Sequence, residues 1–186
     1  SGTRLLVERS IHDDVVAGVL AHASTLRPRQ DLGPLITEAQ YEKVREYFNV
    51  ARADGSTPLI GGEMEPGEGF FVAPTVYDNV DNHARIAQEE IFGPVLSVIP
   101  FDTETEAVAL ANDTSYGLTA GVWTNDINRA LRMAARLEVG QVLINTWTLP
   151  MEAPFGGYKN SGYGREKGMQ AIEEYTQSKS VVIAIR

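Results

Sequence analysis

The segment Gln88–Val95 sets two adjacent carboxylates, Glu89 and Glu90, shortly before a Gly93-Pro94 turn that leads into an apolar run. Consecutive residues of an extended backbone point to opposite sides, so at most one of the two carboxylates faces a ligand at this turn. They therefore cannot act together as the acid and base of one site. The residues alone leave two alternatives open, a solvated acidic turn or a turn that presents one carboxylate to a ligand.

A second candidate segment, Ala153–Glu166, holds four glycines interleaved with aromatic and cationic residues. Gly162 and Gly164 form a Gly-x-Gly pair, but the third glycine of the dinucleotide-binding fingerprint is missing. The pattern therefore favours a tight surface turn with packed aromatic rings over a phosphate-binding loop.

Other chemistries find little support in the sequence. The three histidines, His12, His22 and His83, are too scattered for metal-ligand spacing, and we interpret them as surface or capping residues. The chain has no cysteine, which excludes disulfides, thiolate zinc sites and a cysteine nucleophile within these residues. No G-x-S-x-G elbow occurs. We therefore predict no metal site and no catalytic nucleophile in this chain.

Composition limits the class of protein. The 186 residues suffice for one well-cored domain, and 43% hydrophobic with 22% charged residues is ordinary for a globular protein. A net charge of −9 argues against nucleic acid and anionic membranes as partners. No apolar run approaches the roughly 18–20 residues of a membrane span. We therefore expect a soluble, cytoplasmic protein.

Strands and helices are predicted to alternate around these segments. The predicted strands are Leu5–Val7, Val95–Ile99, Thr119–Trp123 and Gln141–Ile144, and helices are predicted after Ser10, from Thr37 to about Asp54, after Thr103, after Asn125 and near 168–175. Such alternation predicts an α/β fold with a mostly parallel sheet and helices on both faces. We see no linker that would divide the chain into two domains.

Local signals refine these elements. The segment Thr37–Gln40 matches a capping box in which the glutamine returns to the cap, and Thr103–Glu106 matches a second one. A glycine-broken hairpin is predicted to pair Pro58–Ile60 with Phe70–Val72. The run Ser178–Ile185 is apolar on both faces, which predicts a strand that another chain or another part of the protein covers.

Several longer motifs occur in a fixed order along the chain. They are Gly33–Ile36, Ala73–Thr75, Glu89–Val95, Ala111–Asp113, Tyr116–Leu118, Asn145 and Pro154–Gly162. In this order they resemble the NAD(P)-dependent aldehyde dehydrogenase superfamily over essentially the whole chain. The resemblance implies the C-terminal portion of such an enzyme, with most of the catalytic domain in residues 1–176 and an oligomerisation strand in residues 177–186.

The resemblance implies oxidation of an aldehyde to a carboxylic acid, with a cysteine nucleophile, hydride transfer to NAD or NADP, and hydrolysis by water that a Glu activates. The nucleophile, the general base and the dinucleotide-binding domain are expected upstream of Ser1. This C-terminal fragment alone is therefore expected to be inactive. The alternative is a noncatalytic scaffold or oligomerisation module derived from the same family.

Four residues match cofactor-binding positions of the family. Glu90 matches the carboxylate that accepts hydrogen bonds from the nicotinamide ribose, and Phe92 matches the aromatic contact beside the nicotinamide ring. Gln40 and Lys43 match positions near the same ribose. From the residues alone, Gln40 also serves as a capping-box partner and Lys43 as part of a solvated face.

Two aromatic residues match the aldehyde tunnel. Phe155 matches an aromatic of the tunnel wall, and Trp147 falls in the loop that shapes the tunnel floor, with core packing as its alternative role. The strand 177–186 corresponds to a subunit interface in the family, which implies a homodimer or homotetramer.

Overall fold

The computed structural model describes residues 2–185, and its backbone contacts divide the chain into two compact units between Asp113 and Thr114. The strands are β1 (Arg4–Glu8), β2 (Pro58–Ile60), β3 (Thr75–Tyr77), β4 (Val95–Phe101), β5 (Tyr116–Gly117), β6 (Thr119–Val122), β7 (Gln141–Ile144) and β8 (Tyr158–Lys159). The α-helices are α1 (His12–Ala23), α2 (Glu38–Ala53), α3 (Arg85–Gln88), α4 (Glu104–Asn112) and α5 (Ile127–Arg136). Short 3₁₀ turns cover Arg9–Ile11 and Met169–Tyr175.

The first unit is built on a four-stranded sheet in the order β1-β4-β3-β2. The pairs β1–β4 and β4–β3 are parallel, whereas β2 joins β3 antiparallel. A central parallel strand is covered on both faces, which explains the mostly apolar sequence of β4 and the complete burial of its Val98. The predicted α/β class with a mostly parallel sheet is confirmed.

Helix α2 supplies much of the core of this unit. Its apolar residues Val44, Tyr47, Phe48 and Ala51 are buried in one cluster with residues of β3, β4 and the segment before β4. Thr37 caps the helix as predicted, because its hydroxyl accepts a hydrogen bond from the Gln40 backbone N–H at 3.2 Å. The predicted return bond from the Gln40 side chain to the cap is wrong, since that side chain binds elsewhere.

Two predicted helix starts also need correction. The Ser10 hydroxyl donates to Glu8 within a 3₁₀ turn, and α1 begins only at His12 without a side-chain cap. Helix α5 is capped by Asp126 and not by Asn125, because the Asp126 carboxylate accepts from the first free backbone N–H groups of the helix. The N-cap residues of these two helices, Ile11 and Asp126, each lie one residue after the expected position.

The predicted hairpin is wrong as well. Strand β2 pairs with β3, while Phe70–Val72 contributes only an isolated bridge between Val72 and Met64. The Gly62 N–H donates to the Thr75 hydroxyl at 2.9 Å, which ties the end of β2 to β3. A long-range contact to the sheet therefore replaces the local pairing that the glycine pattern predicted.

The second unit has two small sheets. Strands β6 and β7 are parallel, as their connection through α5 requires, and β5 pairs antiparallel with β8. The segment after the Met169–Tyr175 turn forms no strand within residues 2–185, and its apolar residues Val181, Val182, Ile183 and Ile185 are 73–94% exposed. The strand at Ser178–Ile185 therefore stays a prediction.

Within the described part of the chain, no helix combines the length and apolar character that crossing a membrane requires. The same residues contain no group of three or more His, Asp or Glu side chains that could hold a metal ion.

His12 departs from the predicted surface role, because it is buried at the start of α1. Its Nδ1 lies 3.0 Å from an Asp13 oxygen and its Nε2 lies 2.8 Å from an Asp78 oxygen. These hydrogen bonds, to Asp13 and to Asp78, raise the pKa of His12 above its ordinary value. Asp78 is the more effective partner, since its side chain is 14% exposed whereas that of Asp13 is fully exposed.

We expect this histidine to make stability depend on pH. A raised pKa in the folded state means that protonated His12 stabilises the fold fully below the unfolded pKa of about 6.5, and that this contribution is lost as pH rises through the folded pKa. The difference in unfolding free energy between the protein and its His12→Gln variant should therefore shrink between pH 5.5 and pH 8.5 in urea titrations. A difference that stays constant or grows over this range would contradict the assignment, and His22→Gln, at a histidine on the exposed face of α1, is the control.

Candidate functional site

The acidic turn Glu89–Pro94 connects α3 to β4 and lies against α2. Phe92 has a φ of +54°, in the left-handed region that a non-glycine residue enters at an energetic cost, and its side chain is 64% exposed. The neighbouring Gly93 packs closely on the helix, because a Cβ there would lie 2.7 Å from Cγ2 of the fully buried Val44. The turn thus holds an aromatic ring toward solvent on a tightly packed base.

The two carboxylates of the turn have different environments. Glu89 has an extended backbone, and its carboxylate accepts two hydrogen bonds from Arg85, both of 2.9 Å, and one from the Tyr47 hydroxyl at 2.7 Å. The Arg85 and Tyr47 hydrogen bonds lower the pKa of Glu89. Glu90 is exposed, and within residues 2–185 its carboxylate has no hydrogen-bond or ion-pair partner. The structure therefore separates them as expected: one carboxylate is structural and the other is available.

Gln40 lies on α2 opposite this turn. Its side-chain amide donates to the backbone carbonyls of Ile91 at 2.6 Å and Phe92 at 3.1 Å. Both N–H groups of the amide are thus used inside the protein, and only the amide oxygen remains to face a ligand. The main role that this geometry gives Gln40 is to tether the turn.

Lys43 follows one helical turn after Gln40. Its Nζ lies 5.7 Å from the centre of the Phe92 ring and 5.9 Å from that of Tyr47, distances at which a cation is attracted to an aromatic face. The side chain is partly buried between the two rings. The structure thus brings all four predicted cofactor-binding residues, Gln40, Lys43, Glu90 and Phe92, to one turn and the facing side of α2.

This arrangement suits a ligand that carries a diol next to a flat ring. A carboxylate can only accept hydrogen bonds, which matches two hydroxyl donors, and an exposed phenyl ring offers a flat apolar wall. The free Glu90 carboxylate and the exposed Phe92 ring are two residues apart and both open to solvent. These residues therefore fit a ribose with an attached nicotinamide.

The predicted tunnel residues belong to the second unit. Trp147 is 54% exposed and packs on Trp123, with ring centres 5.3 Å apart and planes inclined by 54°. Gly121 lies beneath this pair, since a Cβ there would clash with the Trp123 ring. Within residues 2–185, Trp147 is thus part of an exposed aromatic pair.

Phe155 is partly buried in the glycine-rich segment. Its backbone exchanges two hydrogen bonds of 2.7 Å with Glu166, and its ring centre lies 5.6 Å from the Lys167 Nζ. Among the residues that the structure describes, no ring contact joins Phe155 to Trp147. The tunnel assignment of both residues therefore stays a prediction.

Sequence reasoning missed three residues of these sites, Tyr47, Arg85 and Trp123. A signal was present for two of them: Tyr47 is seven residues after Gln40 on the same helical face, and Arg85 is four residues before Glu89. The sequence pattern predicts Trp123 only as the last residue of a strand. A glycine in a strand, as at Gly121, often marks a close approach by another group, and here that group is the indole pair.

Comparison with known proteins gives one consistent family. The model of the aldehyde dehydrogenase family matches residues 1–181. A betaine aldehyde dehydrogenase of Cereibacter sphaeroides is 45% identical over 192 aligned positions, which cover 100% of this chain and 40% of that protein.

Solved structures agree with this match. The aldehyde dehydrogenase of Bacillus cereus in complex with NAD+ superimposes with a TM-score of 0.95 at 41% identity, covering 100% of this chain and 39% of that one. The indole-3-acetaldehyde dehydrogenase of P. syringae, in complex with NAD+ and IAA, gives a TM-score of 0.95 at 44% identity, covering 99% and 39%. The chain thus spans about 40% of the length of the curated relatives it matches.

Proposed function

This chain belongs to the aldehyde dehydrogenase family, and on that premise we propose that it forms the nicotinamide-side portion of an enzyme that oxidises an aldehyde to a carboxylic acid with NAD(P)+. The observation that carries the proposal is the exposed Glu90 carboxylate, which has no hydrogen-bond or ion-pair partner among the described residues, close to the exposed Phe92 ring on one tightly packed turn. Solved relatives with bound NAD+ support the cofactor class.

Residues of the turn and of α2 would hold the cofactor at different points. The cofactor supplies the hydride acceptor when it is bound. Glu90 would accept hydrogen bonds from the ribose hydroxyls, and Phe92 would provide an apolar contact for the nicotinamide. Lys43 holds positive charge beside the Phe92 ring, and Gln40 fixes the backbone that carries that ring. Holding the reacting ring in one orientation is the contribution this portion makes to the rate.

The remaining chemistry belongs to residues outside this chain. The 186 residues contain no cysteine, so a thiol nucleophile must come from another part of the protein. We propose that the chain is the C-terminal portion of the enzyme, with the nucleophile, the general base and the dinucleotide-binding domain upstream, and that alone it is inactive. The 40% coverage of the relatives supports this.

The names of the relatives give betaine aldehyde in one case and indole-3-acetaldehyde in another. We propose that Phe155 and the exposed Trp123–Trp147 pair line the substrate tunnel. Their half-exposed aromatic surface supports an apolar passage.

We also propose that residues 177–186 form a strand at a subunit interface. The exposed apolar side chains of Val181, Val182, Ile183 and Ile185 support this, because a contiguous apolar run of this kind needs a cover. The assembly would be a homodimer or homotetramer.

The cofactor role of Glu90 is tested in the full-length protein. Glu90→Gln keeps the shape of the side chain but removes its charge. The value of kcat/KM for NAD+ should therefore fall by a factor that corresponds to roughly 1–3 kcal/mol of lost transition-state stabilisation, as for a hydrogen bond to a charged group. Steady-state kinetics with NAD+ and an aldehyde measure it. Glu68→Gln makes the same change at an exposed carboxylate outside the turn and should leave kcat/KM unaltered.

Two results would count against the proposal in different ways. Full activity of Glu90→Gln would remove Glu90 from the cofactor site. A full-length protein that neither binds NADH nor oxidises any aldehyde would favour the noncatalytic scaffold instead.

The tunnel role of Phe155 predicts a dependence on substrate size. Phe155→Ala should raise KM for hexanal by at least about fivefold more than KM for acetaldehyde, because only the longer substrate loses apolar contact. Tyr163→Ala, a fully exposed aromatic in the same glycine-rich segment, is the control. Equal effects of Phe155→Ala on both aldehydes would make Phe155 a structural residue.

The interface role of residues 177–186 predicts a change of assembly. Val182→Lys combined with Ile183→Lys places charge on both faces of the strand and should shift the full-length protein toward smaller species in sedimentation velocity. Ile36→Lys introduces a lysine at an exposed apolar residue distant in sequence from this segment. It should leave the sedimentation of the full-length protein unchanged. A monomeric parent protein, or an oligomer that survives the double substitution, would refute the proposal.

A further inference from the structure

Helix α2 touches the acidic turn at three successive positions of one face. Gln40 binds the carbonyls of Ile91 and Phe92, Lys43 lies over the Phe92 ring, and Tyr47 binds the Glu89 carboxylate. The spacing of three and then four residues puts these side chains in one row along the helix. Tyr47 contacts the start of the turn, and Gln40 and Lys43 contact the part that carries the exposed Phe92 ring.

The contact at Tyr47 is the most enclosed of the three. The Tyr47 residue is 8% exposed, and its hydroxyl donates to Glu89 Oε2 at 2.7 Å. The same Oε2 accepts from Arg85, whose guanidinium carbon also lies 5.8 Å from the Tyr47 ring centre. Glu89 is therefore held from inside the protein by the phenol and from the outside by the guanidinium.

The ionisation of both partners favours this geometry. Burial and the hydrogen bond to Glu89 raise the pKa of Tyr47 to about 12, so the phenol keeps the proton it donates. The Arg85 hydrogen bonds lower the pKa of Glu89, so the carboxylate stays charged. The three-way contact is therefore maintained throughout the ordinary range of pH.

Fixing the Glu89 side chain also fixes the direction of its neighbour. Glu89 has φ −110° and ψ 150°, and in such an extended backbone the next side chain points to the opposite side. With Glu89 held inward at Tyr47, Glu90 faces outward. A rotation that released Glu89 would turn the Glu90 carboxylate away from its present direction.

We propose that Tyr47 is a positioning residue for the cofactor: by holding Glu89 together with Arg85, it aims the Glu90 carboxylate at the ribose. The inference rests on the proposed function, since it concerns the same cofactor site. Tyr47 itself makes no contact with the cofactor and acts only through the turn.

The test uses the full-length protein and NADH as the probe. Tyr47→Phe removes one hydroxyl and keeps the buried ring. It should weaken NADH binding, measured by fluorescence titration, by about 3- to 10-fold, and raise KM for NAD+ by a similar factor while KM for the aldehyde is unchanged. Tyr41→Phe makes the same change on the same helix at a ring that faces Phe70, and should alter neither value.

A double-mutant cycle separates positioning from general destabilisation. In the Glu90→Gln background, Tyr47→Phe should change NADH affinity by less than about twofold, because the group that it positions is already lost. The same factor in both backgrounds, or no effect in either, overturns the inference. Should Tyr47→Phe fail to fold, Arg85→Gln, on the exposed side of Glu89, replaces it with the same expectation.

The cycle also distinguishes this inference from the proposed function. If Glu90→Gln weakens NADH binding and Tyr47→Phe does not, the cofactor site stands and the positioning role falls. If the unmodified protein does not bind NADH, both fall together.

Discussion

The site depends on the close packing of the Glu89–Pro94 turn against helix α2. Gly93 leaves no room for a side chain above Val44, which has no exposed surface, so the distance between turn and helix is set by direct contact. In a closely packed interior, a small change in the volume of one side chain displaces the residues around it. The hydrogen bonds by which Gln40 and Tyr47 reach the turn, at 2.6 and 2.7 Å, join the same two elements.

The same packing sorts the two carboxylates. An extended backbone only guarantees that Glu89 and Glu90 face opposite ways, and it does not decide which one faces outward. That choice follows from the donors that are available: the hydroxyl of the buried Tyr47 and the exposed Arg85 guanidinium both bind Glu89. Since a carboxylate loses its hydration when it turns inward, only the position with donors already in place can be the inner one.

Local sequence patterns predict the helix starts and strands that depend on a few neighbouring residues. Thr37 and Thr103 predicted the starts of α2 and α4, and the apolar runs predicted β4, β6 and β7. Long-range partners were not readable in this way. The Gln40 amide does not bind the cap of its own helix but donates to carbonyls 51 and 52 positions away in sequence. Strand β2 pairs with β3 of the sheet and not with Phe70–Val72. Each time, a carbonyl or strand edge elsewhere in the chain took the place of the local partner.

The position of the turn in the sheet explains why it can hold a strained residue. Strand β4, which begins immediately after Pro94, lies between β1 and β3, and the Pro94 carbonyl accepts from the Thr75 N–H at 2.8 Å. The turn is therefore fixed to the sheet at its end and to α2 along its length. A left-handed non-glycine residue persists only where the surrounding structure determines its conformation, and Phe92 has such support on both sides. A ligand that meets Glu90 and Phe92 thus meets groups already oriented, because the energy that orders them comes from the core of the unit and not from binding.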